Sequence, residues 1–206
     1  MNNPWNKVIY KFWAPLYDKL FNSGSFLQAR REIFREILFE NGQKILFVGV
    51  GTGADLELIP HANLDITAID FSPDMLEKAQ AKFKDSSIEF LEMDAQNMTF
   101  PDHSFDHVVA SLILSVVPDA EKCFQEMERV LKGDGSMIVF DKFAPKDRKL
   151  AVGKRAIRPL VQLLGTDIGL SFEKLYEKYS RSLKIVDDKP MMMNGMYRKI
   201  LMKKAV

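Results

Sequence analysis

Apolar and polar residues alternate along this chain in blocks whose lengths separate strands from helices. Short β-type apolar runs occupy residues 44–48, 65–69, 88–92, 107–112 and 137–140, and stretches with helical spacing begin between them near Ala54, Pro73 and Pro118. Strand and helix taking turns in this way predict βαβ units and a parallel sheet covered on both faces. Ser72 before Pro73 reads as an N-cap with proline in the first helical position, and Gly133-Asp134-Gly135 is expected to break the chain before the fifth strand. Residues 145–165 then read as a helix and 172–178 as a shorter one. Two further β-like segments follow, 182–186 and 196–202, with Asp187-Asp188 and Asn194-Gly195 as turn residues and a connection rather long for a tight hairpin. The expected fold is α/β, with a seven-stranded, mostly parallel sheet and helices on both faces.

The first 40 residues have a different pattern. Asn3-Pro4 offers another cap-plus-proline start, and Trp5, Val8, Ile9, Phe12, Trp13, Leu16 and Leu20 follow helical spacing, with Pro15 expected to bend or break the helix. A second helix is expected over residues 25–40, stopped by Asn41-Gly42. The expected division is a helical lid or interfacial segment over 1–40 and one main domain over 41–206.

Composition narrows the classes. A chain of 206 residues, 47% of them hydrophobic, has material for one core but little room for a separate substrate domain. With 29 basic and 28 acidic residues the formal charge is +1, so no global field favours nucleic acid. Cys123 is the only cysteine, which excludes an internal disulfide framework and fits a reducing compartment. Lys7, Lys11, Pro15, Asp18 and Lys19 interrupt residues 5–20, so no signal peptide is expected there. The longest nearly apolar run, 108–117, is too short for a bilayer, which needs roughly 20 residues. A cytoplasmic protein is expected, with peripheral contact at the inner membrane surface as an additional possibility carried by two segments. The 5–20 stripe suits an interfacial helix and a packed lid equally well. Between 142 and 158, Lys142, Lys146, Arg148, Lys149, Lys154, Arg155 and Arg158 stand against Asp147 alone, beside Ile157, Leu160, Val161 and Leu164. Residues 4–21 and 142–158 are thus the candidate contacts with an anionic membrane, a solvated basic face being the competing reading.

The chemistry begins at "LFVGVGTGADLE". Gly49-x-Gly51-x-x-Ala54 satisfies the dinucleotide pattern, while Gly49-x-Gly51-x-Gly53 satisfies the looser S-adenosylmethionine pattern. In either case the glycines let backbone approach a ligand closely. Asp70 ends the second strand about 20 residues on, where an acid accepts hydrogen bonds from ribose hydroxyls, again in both templates. A dehydrogenase generally needs a second mononucleotide-binding half or a substrate domain, and the remaining chain is short for either. Met93-Asp94-Ala95 puts an acid at the end of the third strand, within the same adenosyl-type crevice.

Several stretches in order, "ILFVGVGTGADLELIP", "ITAIDFSPDMLEKAQAKF", "IEFLEMDAQNMTFPDHSFDHVVASLILSVVPD" and "EMERVLKGDGSMIVFD", resemble successive motifs of class I S-adenosylmethionine-dependent methyltransferases. "YKFWAPLYDKLF" resembles the N-terminal segment of methyltransferases of quinone precursors and of soluble bacterial phosphatidylethanolamine N-methyltransferases. "LILSVVPD" and "GMYRKILMKK" lean towards the phospholipid enzymes. The resemblance implies a Rossmann-like fold and S-adenosylmethionine as cofactor, leaving S-adenosylhomocysteine. It sets Gly49, Gly51 and Gly53 beside the methionine portion and Asp70 on the ribose. Phe71 and Met75 would flank the adenine, Asp94 would accept its amino group with Ala95 alongside, and Ser111 and Leu112 would stand near the sulfonium. Tyr17 would close over the cofactor, and Tyr17 and Ser111 are the candidate catalytic residues. Where the family usually has Asp or Glu, two residues before the first glycine, this chain has Phe47; Asp18 is a candidate substitute.

The acceptor is less defined. No metal constellation is evident, and His61, His103 and His107 are expected in surface or packing roles. The Asn/Asp-Pro-Pro-Tyr motif of enzymes that methylate base amino groups is absent after the fourth strand, which disfavours nucleic acid. Leu112, Ile113, Leu114, Val116 and Val117 stand there instead, as an apolar wall or as core. A phospholipid head-group amine is the leading acceptor, with C-methylation of a quinone precursor and S- or N-methylation of a small metabolite as alternatives. An NAD-dependent reductase and a non-catalytic adenosyl-binding protein are the rivals from other classes.

Overall fold

The computed structural model describes residues 22–144 and 169–205. Tyr17, Asp18, the 5–20 stripe, the helix expected over 145–165 and all of the basic segment beyond Ala144 lie outside the described residues.

The apolar runs become strands in chain order, with helices between them. The elements are α1 (Gly24–Arg35), β1 (Lys44–Val48), a single 3-10 turn (Leu56–Leu58), β2 (Asp65–Asp70), α2 (Pro73–Lys82), β3 (Glu89–Glu92), β4 (Phe105–Ser111), α3 (Ala120–Val130), β5 (Leu131–Lys142), α4 (Phe172–Glu177), β6 (Leu183–Met192) and β7 (Tyr197–Lys204). They build a seven-stranded sheet in the order β3-β2-β1-β4-β5-β7-β6. Neighbours among β1 to β5 run parallel, whereas β7 is antiparallel to both β5 and β6. The chain works outward from β1 to β3, then crosses back to place β4 on β1's other side. That reversal opens a crevice at the carboxyl ends of β1 and β4, where open α/β sheets bind ligands.

Side-chain alternation along each strand divides the core in two. Leu46 and Val48 of β1, Val108 and Ala110 of β4, and Met137 and Val139 of β5 face the layer of α3 and α4, joining Phe124, Met127, Phe172 and Leu175. Ile45 and Phe47, Val109, and Ile138 and Phe140 face the opposite layer, where Ala29, Ile33 and Phe34 of α1 cover them. Central strands apolar on both faces are what a doubly covered parallel sheet demands. Asp119 caps α3 by accepting from the Glu121 and Lys122 amides at 3.1 and 3.0 Å.

Four local expectations give way to tertiary geometry. The helix expected from Ala54 is only the Leu56–Leu58 turn, because Pro60 pushes Ile59 into extended backbone and few residues separate the glycine loop from it. Helix α1 stops at Arg35 rather than near residue 40: Glu36 turns to pair with Lys199 and Lys189, and beyond it Ile37 and Phe39 pack on the core in alternation with Leu38, which is 86% exposed, a two-residue rather than a helical period. Gly133-Asp134-Gly135 does not precede β5 but forms an irregularity inside it. Phe105 pairs with Leu131 and His107 with Ser136, the surplus residues being absorbed with Asp134 at φ 61°. Asp187 and Asp188 are not turn residues either, since they pair with Leu201 and Ile200 in the ladder. The β6–β7 connection is therefore a tight hairpin, turned by Met193, Asn194 and Gly195 at φ 51°, 53° and 81°.

Arg129 on α3 ties the β3–β4 connection down. Its guanidinium donates to the Met98 and Phe100 carbonyls at 3.0 and 2.7 Å and pairs with Glu126 and Asp102 at 2.8 and 2.7 Å. The Arg129 hydrogen bonds hold both carboxyls below their usual range. A folded-state pKa below the unfolded one contributes stability above the unfolded value, and that contribution is lost as pH falls through the folded one. Arg129→Met is therefore expected to flatten the fall of the urea midpoint between about pH 5 and pH 2. An unchanged slope would show that the cluster contributes nothing in acid.

Candidate functional site

The turn after β1 is built on left-handed backbone. Gly49, Gly51 and Gly53 have φ of 69°, 56° and 83°, a region open to glycine at little steric cost. The three differ in what a side chain would meet. A Cβ at Gly49 would lie 2.6 Å from Ile113 Cδ1, and one at Gly53 would lie 2.7 Å from the Phe83 ring and 3.5 Å from Ala79. At Gly51 it would meet nothing within 4 Å. Gly53 is thus constrained by packing against Ala79 of α2 and Phe83 beyond its end, and Gly51 is the glycine whose Cα faces open space.

Asp70 ends β2 and organises this turn. Its Oδ2 accepts from the Gly51 amide at 2.8 Å and its Oδ1 from the Ser72 amide at 2.9 Å. Burial pushes the carboxyl above its ordinary range, opposed by amide hydrogen bonds from Ser72, Gly51 and Phe71. A carboxylate has about four acceptor positions, so these three amides leave room for a ribose hydroxyl. Ser72 occupies the N-cap position of α2 but its hydroxyl makes no capping bond; its amide serves Asp70 instead.

The remaining candidates follow the carboxyl ends of β2, β3 and β4 and differ in burial. Phe71 is half-buried, whereas Met75 is 3% exposed, so only a movement of Met75 would bring much of its side chain to a ligand. Asp94 follows β3 and accepts from the Gln96 amide and side chain at 2.9 and 2.8 Å, while Gln96 accepts from the Asp119 amide at 2.9 Å, linking this loop to the start of α3. Ala95 is buried in the core. Ser111 ends β4 beside the glycine turn. Leu112 takes φ 58°, held by its amide bond to the Phe140 carbonyl at 2.7 Å. A leucine in the left-handed region is uncommon and marks local strain next to the crevice. Of the expected apolar wall, Leu112 and Leu114 turn into the core at 7% and 2% exposure, which leaves Ile113, Val116 and Val117 partly accessible.

Residues that the sequence did not single out also line the turn. Arg30 of α1 and Asp55 form a buried ion pair, and both line a small recess with Asn22, Gly51, Thr52 and Ser111. The Asn22 side chain donates to the Thr52 hydroxyl at 3.2 Å. Phe47, at the position expected to be acidic, is 1% exposed and packs 6.4 Å from Phe34, ring centre to ring centre. It belongs wholly to the core under α1.

Beyond the crevice, Asp141 at the end of β5 accepts from the Ser115 and Lys142 amides at 3.1 and 2.7 Å. Burial raises its carboxyl, and burial together with Asp141 pushes Tyr197 up to about 12. The histidines make packing and loop contacts: His107 reaches Gln43 at 2.9 Å, His103 the Leu131 carbonyl at 3.1 Å, and His61 the Leu56 carbonyl. Among the described residues no helix is long and apolar enough to cross a membrane.

What separates this sheet from a dinucleotide-binding one is its far edge. After β5 the chain adds the antiparallel β7–β6 pair in place of a sixth parallel strand, which is the architecture of the class I methyltransferases. The chain belongs to that family: the model described as "Methyltransferase domain" matches residues 46–139. It is 33% identical over 192 residues to a phosphatidylethanolamine N-methyltransferase of Cereibacter sphaeroides, covering 91% of this chain and 92% of the relative. It is 29% identical over 185 residues to a demethylmenaquinone methyltransferase of Listeria welshimeri, covering 85% and 76%. The YcgJ protein of Bacillus subtilis shares the fold, with a TM-score of 0.70, 16% identity, and coverage of 87% of this chain and 99% of that one.

Proposed function

We propose that this methyltransferase uses S-adenosylmethionine to methylate the head-group amine of a phospholipid, phosphatidylethanolamine. The observation that carries the acceptor is the end-to-end similarity to the Cereibacter sphaeroides phosphatidylethanolamine N-methyltransferase, which extends well past the cofactor half. The cofactor reading is supported by the open Cα face of Gly51 and the amide-anchored Asp70, a combination suited to an adenosyl ligand with a ribose diol. In this reading Gly49, Gly51, Asp70, Phe71, Asp94 and Ser111 line the cofactor's path, with Met75, Ala95, Gly53 and Leu112 shaping it from behind. Tyr17 is assigned to the same site as its cover, and residues 4–21 and 142–158 to the contact with an anionic membrane surface.

A sulfonium is an activated methyl donor, so in-line displacement asks the protein mainly for alignment and exclusion of water. An amine acceptor must arrive neutral, and no base on the protein is obligatory. The partly accessible Ile113, Val116 and Val117 suit a lipid-like acceptor beside Ser111. A second reading, C-methylation of a quinone precursor, is favoured by the likeness to the Listeria demethylmenaquinone methyltransferase.

Incubating the full chain with methyl-labelled S-adenosylmethionine, phosphatidylethanolamine vesicles and, separately, vesicles carrying a demethylated quinone tests the two directly. Label in the ethanolamine head group is the expected result. Label in the quinone alone would overturn the lipid assignment in favour of the second reading.

A further inference from the structure

We infer that the amino-acid end of S-adenosylmethionine is held by Arg30 and Asp55, a cation and an anion that take over the work of the acid missing at Phe47; this rests on the cofactor reading proposed above. The methionine end of that molecule is a zwitterion, with an ammonium and a carboxylate a few bonds apart. A site for it needs an acceptor of negative charge and a donor of positive charge side by side. Phe47 supplies neither, being sealed in the core against Phe34.

Arg30 and Asp55 are 4% and 7% exposed and paired to each other through Nη1 and Oδ1. They line the recess that Gly51, Thr52 and Ser111 also border, and Asp55 is the carboxylate among the described residues that does so. Arg30 Nε is buried with no hydrogen-bond partner among the described residues. A guanidinium with one edge engaged and a further N–H unmatched is an unfinished fork, and a carboxylate is the group whose geometry completes it. An isolated buried ion pair is also a poor stabiliser, since removing two charges from water offsets most of their attraction. Beside a glycine turn with an open Cα face, the pair has a clearer use: Asp55 accepts from the ammonium while Arg30 donates to the carboxylate. Because Arg30 comes from α1, the same contact couples cofactor binding to the seating of that helix.

The test compares two ligands that share the adenosine. S-adenosylhomocysteine carries the amino-acid arm, and 5′-methylthioadenosine lacks it. Arg30→Met and Asp55→Asn are each expected to weaken S-adenosylhomocysteine by about 10- to 100-fold, as loss of a charge-assisted hydrogen bond predicts. Binding of 5′-methylthioadenosine should stay within about twofold in both variants, which also shows that they are folded. Equal losses for the two ligands, or no loss for either, would overturn the assignment and leave the pair as a staple between α1 and the loop. If the unaltered chain binds neither ligand, the cofactor reading itself falls, and this inference with it.

Discussion

Replacing Asp70 by asparagine is expected to weaken S-adenosylmethionine binding by about 10- to 100-fold, while the protein remains folded. A carboxylate that accepts a ribose hydroxyl contributes a charge-assisted hydrogen bond of about 1.5–3 kcal/mol, and its loss corresponds to roughly that factor. The carboxylate also holds the Gly51 and Ser72 amides, so the turn and the start of α2 share one anchor. Asparagine keeps a carbonyl oxygen for one of those amides. It also removes a charge whose burial already raises the carboxyl pKa. A raised folded-state pKa marks stability that is present below the unfolded pKa and is lost as pH rises through the folded one, so the neutral side chain relieves a cost at neutral pH. Stability from urea melts should therefore change little while calorimetric affinity collapses. Near-normal affinity in Asp70→Asn would show that the ribose lies elsewhere.

The second large effect is expected at Gly51. Alanine there must adopt φ near 56°, a strain of about 1–2 kcal/mol, but its methyl group meets no protein atom within 4 Å. The fold should tolerate it, whereas a ligand lying against that backbone should not. Gly51→Ala is expected to lower S-adenosylmethionine affinity by about tenfold or more, in excess of its small stability cost. Gly53→Ala has the opposite signature: its methyl group runs into the Phe83 ring, so stability falls first and affinity follows only through the fold. Equal affinity in Gly51→Ala and the unaltered chain would remove the glycine turn from the site.

Residues 44–48 could be read from the sequence to the residue, because four apolar residues after Lys44, bounded by Gly49, match a buried parallel strand. Asp70 was legible as the acid that ends the second strand, whereas its bonds to the Gly51 and Ser72 amides were not, because they depend on how the glycine turn folds back over β2. The hairpin was not, since Asp187 and Asp188 look like turn residues and only pairing with Leu201 and Ile200 keeps them in the ladder. The helix expected at Ala54 failed because its apolar spacing is genuine but Pro60 ends the segment after one turn. Arg30 was invisible for a deeper reason. It sits in "QARREIF" beside Arg31, and nothing local distinguishes the guanidinium that is buried against Asp55 from the one that is exposed. Phe47 was conspicuous as a departure from the family, yet which groups replace the acid depends on how α1 lies over the glycine turn.

Whether the crevice takes a methyl donor at all is settled by a calorimetric titration of the full chain with S-adenosylhomocysteine and, in parallel, NADH. Saturable one-to-one binding of S-adenosylhomocysteine is expected, with no measurable heat from NADH. Binding of NADH alone would contradict the cofactor assignment, because the Gly51 turn and Asp70 would then serve a dinucleotide rather than a methyl donor.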